Sequence, residues 1–259
     1  MKPLFLISND DGIHADGLRV LADTARLFGD VIVVAPRDEQ SARSQAITVS
    51  SPLRYNQQSE GVFSVEGTPA DCVLLAFKKI MPRKPDWVLS GINHGANLGQ
   101  DVLYSGTVGA ALEGALNGSP AIAFSLGGQA SHAKWHFETA QKIVSLVLKN
   151  LASLTVPERR LLNVNVPNIE ASELRGVVFA EPGFRVYEDR LHESFDPRGR
   201  PYYWLGGYTD HAEHISENDC SLVAGGYATL SLLKTCLFDH EGTYELQRAS
   251  AEIFRNAKI

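Results

Sequence analysis

The stretch "LFLISNDDGIHADGLRVLADTARLFGDVIVVAP", residues 4–36, decides the fold. Leu4 to Ile7 is a short apolar run that reads as a buried strand. From Gly17 to Phe28 the apolar residues Leu18, Leu21, Ala22, Ala25 and Phe28 have the spacing of one helical face. After Gly29 the β-branched run "DVIVVAP", ended by proline, predicts a second strand. A strand, a helix and a strand in so short a span imply a right-handed crossover and a parallel pair.

The alternation continues outward. "TPADCVLLAFKKI" (68–80) reads as a helix with Pro69 in its first turn. "DWVLSGIN" (86–93) reads as a buried strand, and "SGTVGAALEGALNG" (105–118) as a small-residue helix bounded by Ser105 and Gly118. "PAIAFSL" (120–126) is a strand, "HFETAQKIVSLVLKNLASL" (136–154) an amphipathic helix and "RLLNVNVP" (160–167) a further strand. The expected class is α/β: a mostly parallel sheet with helices on both faces. From about residue 180 the texture becomes polar and aromatic, with a turn signal at Asp196-Pro197-Arg198-Gly199. Residues 1–179 are therefore expected to form the core. Residues 180–223 read as a hairpin-rich arm suited to oligomerisation, a surface insertion being the plainer alternative. Residues 224–259 would complete the subunit with a strand at "GGYATLSLL" (225–233) and a helix from about His240.

Composition narrows the function. A chain of 259 residues with 44% hydrophobic and 21% charged residues is ordinary globular material. No apolar run approaches the roughly 18–20 residues of a membrane span, and no signal peptide is visible. Three widely spaced cysteines, Cys72, Cys220 and Cys236, fit neither a disulfide framework nor a zinc site, and suit a reducing cytoplasm. A net charge of -6 with no basic run argues against a nucleic-acid polymer as partner.

In an open parallel sheet, ligands collect beyond the carboxyl ends of the strands. Here the first strand delivers Asn9, Asp10 and Asp11 to that rim. The second delivers Asp38, Glu39, Gln40 and Ser41, and "DWVLSGIN" delivers Asn93, His94 and Asn97. Carboxylate, hydroxyl and amide oxygens suit a hard divalent cation such as Mg²⁺ or Mn²⁺, which would turn the repulsion between Asp10 and Asp11 into joint coordination. A turn with a helix cap is the plainer reading of the acidic pair. Ser105, Gly106 and Thr107 open a helix whose N-terminus is a ready anion site, although Ser105 could equally be a simple cap. His94 could act as acid or substrate contact, or serve as a bystander, and His14 lies three residues past Asp11. Neither a Walker loop, nor a dinucleotide fingerprint, nor a nucleophile elbow occurs, which argues against an ATPase, an NAD enzyme or a serine hydrolase.

Taken in order, "SNDDGIHADGL", "VVAPRDEQSARSQAIT", "GTPADCV", "SGINHGANLGQDVLYSGTVGAALEG" and "LNVNVP" closely resemble the survival protein E (SurE) family of metal-dependent 5'/3'-nucleotidases. The likeness runs through roughly residues 4–167 and continues more weakly through "DPRGRPYYW" and "GGYATLSLL". It implies a Rossmann-like core and one divalent metal ion per subunit, held by Asp10, Asp11, Ser41 and Asn93. It also implies hydrolysis of nucleoside 5'- and 3'-monophosphates, with short polyphosphate as a further substrate of some members. An arm exchanged between subunits would give a homodimer or homotetramer. On that basis Asn97, Ser105, Gly106 and Thr107 would contact phosphate. Asn9 and Asn97 would orient water or phosphate, and Asp10 or Asp11 would accept the proton of the attacking water. Ala96 in "NHGAN" stands where many members carry proline.

Overall fold

The computed structural model describes residues 2–127, 134–186, 191–205, 211–212, 217–236, 238–239, 243–245 and 248. The expected first unit is present as β1 (Leu4–Ser8), α1 (Asp16–Arg26) and β2 (Asp30–Pro36), with β1 and β2 parallel and Ile7 opposite Val33. A hairpin follows, β3 (Tyr55–Ser59) and β4 (Val62–Val65), then α2 (Pro69–Leu75), β5 (Trp87–His94), α3 (Gly106–Leu116), β6 (Ala121–Gly127), α4 (Phe137–Lys149) and β7 (Arg160–Pro167). The remainder comprises β8 (Gly176–Phe179), β9 (Arg185–Val186), β10 (Leu191–Phe195), β11 (Pro201–Leu205), β12 (His211–Ala212), α5 (Asp219–Ala224) and β13 (Tyr227–Lys234).

Among the described residues the main sheet has nine strands in the order β3-β4-β2-β1-β5-β6-β7-β13-β8. The strands from β4 to β7 run parallel; β13 is antiparallel to β7, and β3 to β4. The class is α/β with a mostly parallel sheet. Alternation along β1 divides the core. Phe5 and Ile7 pack with α1 and α4 on one face, whereas Leu6 packs with α2 and α3 on the other. Both faces are covered, as buried strands without polar alternation require.

Several elements differ from the sequence reading. The helix expected over 68–80 is α2 followed by a π-helical turn at Ala76–Ile80, closed by the Met81 N–H on the Ala76 carbonyl. Thr68 and Asp71 form a reciprocal cap on α2, with Pro69 in its first turn. The β3–β4 hairpin, β8 and α5 were not expected. Beyond residue 180, β10 and β11 form a hairpin around the 196–199 turn, where the Asp196 carboxylate accepts the Arg198 and Arg200 N–H groups. Most of the helix expected from His240 lies outside the described residues.

One contact sets the position of α1. A Cβ on Gly17 would lie 1.9 Å from the Ile92 carbonyl oxygen, so the helix rests directly on the β5 backbone. Gly17→Ala should therefore push the two elements apart and cost about 2 kcal/mol of stability, read as a lower urea midpoint in equilibrium unfolding.

Candidate metal and phosphate site

The site is assembled at the carboxyl ends of β1, β2 and β5. Asp10 is buried, and one of its carboxylate oxygens accepts a short hydrogen bond from the Thr107 hydroxyl. α3 begins directly against this carboxylate: a Cβ on Gly106 would lie 2.8 Å from the Asp10 Cβ. The acid thus occupies the helix N-terminus, where the Thr107 hydroxyl and main chain favour its anion. They do not outweigh desolvation. Burial, reinforced by neighbouring Asp11, raises the Asp10 carboxyl from 3.8 to about 6.

Asp11 faces the opposite wall. Its Oδ2 accepts the His94 main-chain N–H at 3.2 Å and pairs with His94 Nδ1 at 3.0 Å. That hydrogen bond holds the imidazole above its ordinary range against the opposing effect of burial. The His94 ring is fixed edge-on between Trp135 and Phe137, with centroids 5.2 and 5.1 Å away. Asn93 completes the group. Its Oδ1 is 3.3 Å from the Thr107 hydroxyl, and its Nδ2 donates to the Gly95 carbonyl. Thr107 therefore couples Asp10 to Asn93.

The other expected residues fall into two groups. Asn97 is buried and clamped: its N–H donates to Asn165 Oδ1, its carbonyl accepts from Asn163 and Asn165 Nδ2, and its own Nδ2 donates to Ser125. Asn9 donates to the Gly12 carbonyl while its buried Oδ1 has no hydrogen-bond partner. Ser105 is the α3 cap, accepting the Val108 N–H, so the plain capping reading holds for its hydroxyl. Ser41 is exposed and donates to Glu39, without a hydrogen bond to the acidic pair, although the Gln40 N–H donates to the Asp10 carbonyl at 2.7 Å and keeps its loop on the rim. His14 is exposed.

The donor set fits a hard cation. The Asp10 carboxylate and the Asn93 amide oxygen meet at the Thr107 hydroxyl, Asp11 is the next residue along the chain, and buried Asp10 resists ionisation in the absence of a countercharge. Among the described residues, no three His, Cys, Asp or Glu side chains cluster so as to hold a metal ion. A cation would rest on two carboxylates completed by amide, hydroxyl and water oxygens.

The family model described as "Survival protein SurE" matches residues 5–189. The chain is 42% identical over 246 residues to a 5'-nucleotidase SurE of Pelobacter propionicus, covering 90% of this chain and 99% of that protein. It is 42% identical over 257 residues to the 5'-nucleotidase SurE of a Synechococcus species, covering 96% and 98% of the two chains. The chain belongs to the SurE family. A crystal structure of the SurE protein from Aquifex aeolicus superimposes with a TM-score of 0.83 at 36% identity, covering 96% of this chain and all of that one. Both of these SurE relatives carry the 5'-nucleotidase name, which denotes a phosphoric monoester hydrolase.

Sequence reasoning missed the residues that hold this SurE site together. Asn163 and Asn165 alternate with valines in a strand buried from Leu161 onward, a pattern that signals polar side chains serving a neighbouring loop. Asp219, also fully buried, accepts the Gly99 and Gly183 N–H groups, and nothing in "ENDCSLV" marks it in the sequence. Because Asp10 is an anion held against desolvation, Asp10→Asn should leave the metal-free protein at least as thermally stable as the parent. The same variant should gain less in melting temperature from added Mn²⁺, both effects being read by thermal denaturation with and without the metal.

Proposed function

We propose that this chain hydrolyses nucleoside 5'-monophosphates, and 3'-monophosphates with them, to nucleoside and phosphate, using one Mg²⁺ or Mn²⁺ per subunit. The observation that carries the reading is the N-terminus of α3 set against Asp10, beside Asp11 and Asn93. Asp10, Asp11 and Asn93 would hold the cation, with Ser41 joining from its loop. When bound, the cation supplies charge for a phosphoryl oxygen and lowers the pKa of a water.

The protein's own contribution is position. The first main-chain N–H of α3, at Gly106, offers a donor to a non-bridging phosphate oxygen as charge grows on it, beside Thr107, whose own N–H serves Asp10. Ser105 fixes that first turn through its cap. Asn97 keeps a second amide N–H beyond the one given to Ser125, a donor it could offer to phosphate. Asn9 stands by the acidic pair with an unused buried oxygen, suited to orienting water. Asp10 or Asp11 accepts the proton of that water. Short polyphosphate is a secondary substrate on this reading.

The same proposal extends to assembly and compartment. The β10–β11 hairpin leaves Phe195, Tyr203 and Trp204 more than half exposed, at 62%, 53% and 66%. That much aromatic surface favours pairing with another copy, giving a dimer or tetramer. Tyr187, part of the same expected aromatic arm, lies outside the described residues. No described helix is long and apolar enough to cross a membrane, and all three cysteines are free. The free cysteines support a place in a reducing cytoplasm.

Phosphate release from AMP with Mn²⁺ present is the direct test. EDTA should abolish it and fresh metal should restore it; full turnover after exhaustive chelation would sink the mechanism. Asp11→Asn should lower kcat/KM about a hundredfold, roughly 3 kcal/mol of transition-state stabilisation, in the same assay. Sedimentation at micromolar concentration should give a species at least twice the 28.3 kDa chain mass, and a monomer would remove the arm from the proposal.

A further inference from the structure

Beside the acidic rim lies a cavity of about 420 Å³, between the end of β2, the loop that follows it and the turn from β4 into α2. Arg37, Asp38, Gln40, Arg43, Glu66 and Thr68 line it. It adjoins the site directly, because lining residue Gln40 gives its N–H to the Asp10 carbonyl at 2.7 Å. Its volume falls within the roughly 300–1,000 Å³ typical of small-molecule sites.

The walls are preformed. Ser44 is tied to the turn before α3 by its N–H to the Tyr104 carbonyl and its hydroxyl to the Leu103 carbonyl. Thr68 donates to the Ala46 carbonyl, and Thr48 is held by Asp71 through its N–H and hydroxyl. Between these anchors, Ala42 and Ser44 have φ of 58° and 53°, a left-handed backbone that side-chain-bearing residues seldom adopt. Arg43 is presented from the residue between them.

Charge decides what fits. Arg37 is spent on Asp38 at 2.9 Å and Glu66 at 2.6 Å. Arg43 is exposed and makes no ion pair among the described residues. With two guanidinium groups and two carboxylates, the lining is balanced. A polyanion would meet both carboxylates, whereas a flat, neutral group with donors and acceptors at its edge meets complementary partners. An arginine with no acid to bind is suited to lie against an aromatic plane.

Building on the nucleotidase reading above, we propose that this cavity is the nucleoside subsite, seating the base with the Arg43 guanidinium against its ring and the Gln40 amide at its edge. The class of ligand is a nucleoside, joined to a phosphate that lies on the α3 side of the rim. Base selectivity then resides in Gln40 and Arg43, the residues that flank Ser41 in the loop after β2.

The test compares AMP with ribose 5-phosphate, which differs by the absent base, in the full-length protein with Mn²⁺. Arg43→Ala should lower the ratio of the two kcat/KM values roughly tenfold, and Arg43→Lys, which keeps the charge but loses the plane, should lower it as well. A ratio within twofold of the parent in Arg43→Ala overturns the proposal, and so does full recovery by lysine, which would mark a simple charge contact. Calorimetric titration with adenosine gives a readout independent of turnover. If neither ester is cleaved, the phosphatase reading fails, and the adenosine titration alone decides the subsite. Weaker adenosine binding in Arg43→Ala supports it; equal binding in both proteins, or none in the parent, overturns it.

Discussion

Everything at the rim depends on one carboxylate buried against the start of one helix. Asp10 is 4% exposed, and α3 approaches so closely that its first residue must lack a side chain. Burial alone disfavours the anion, and the helix terminus with Thr107 restores part of that cost. The balance is incomplete, leaving the carboxyl at about 6. A divalent cation held here, as we propose, would supply the missing countercharge. The arrangement that disfavours the anion in the metal-free protein is the one that would favour a metal.

The sheet explains why such a contact can be held. β1 and β5 are adjacent, with Ser8 opposite Ser90, so the acidic pair and Asn93 leave neighbouring strand ends at the same level. α3 packs against β5 closely enough that a Cβ on Gly114 would lie 2.6 Å from Val88. Small residues along α3 thus set the depth of the helix, and the depth sets how near its N-terminus comes to Asp10. Packing and electrostatics are one constraint here.

The sheet core was legible because buried strands and amphipathic helices carry their period in the sequence. "RLLNVNVP" (160–167) coincides with β7, and the strand at β5 is displaced by one residue. What escaped has physical reasons. β3, "YNQQS", is exposed at every position, so no apolar alternation marks it; it exists because β4 offers an edge. α5 is six residues long, too short for a periodic face. In the site, Asp10, Asp11 and Asn93 were legible because each follows a readable strand. The supporting residues were not, since Asn163, Asn165 and Asp219 lie distant in sequence and act through main-chain groups of another segment. The structure also refines two roles: the Ser105 hydroxyl serves α3, and His94 is bound to Asp11.

Asp219 has a wider consequence. One carboxylate binds the Gly99 N–H at 3.0 Å and the Gly183 N–H at 2.7 Å, and a Cβ on Gly99 would lie 2.5 Å from the Gly183 carbonyl oxygen. Alongside, Gln100 bonds the Arg185 main chain, while the Arg185 guanidinium reaches Asp101 at 2.5 Å. The Asp101 main-chain carbonyl in turn accepts the Ser105 N–H, and Ser105 caps α3. Hydrogen bonds and the short chain segments between them thus join the base of the aromatic arm to the helix terminus that faces Asp10. Because Asp219 is fully buried, losing either glycine N–H would cost one of its carboxylate oxygens a main-chain donor in the interior. The root of the arm and the start of α3 are therefore held in one geometry by contacts that lie far apart in sequence.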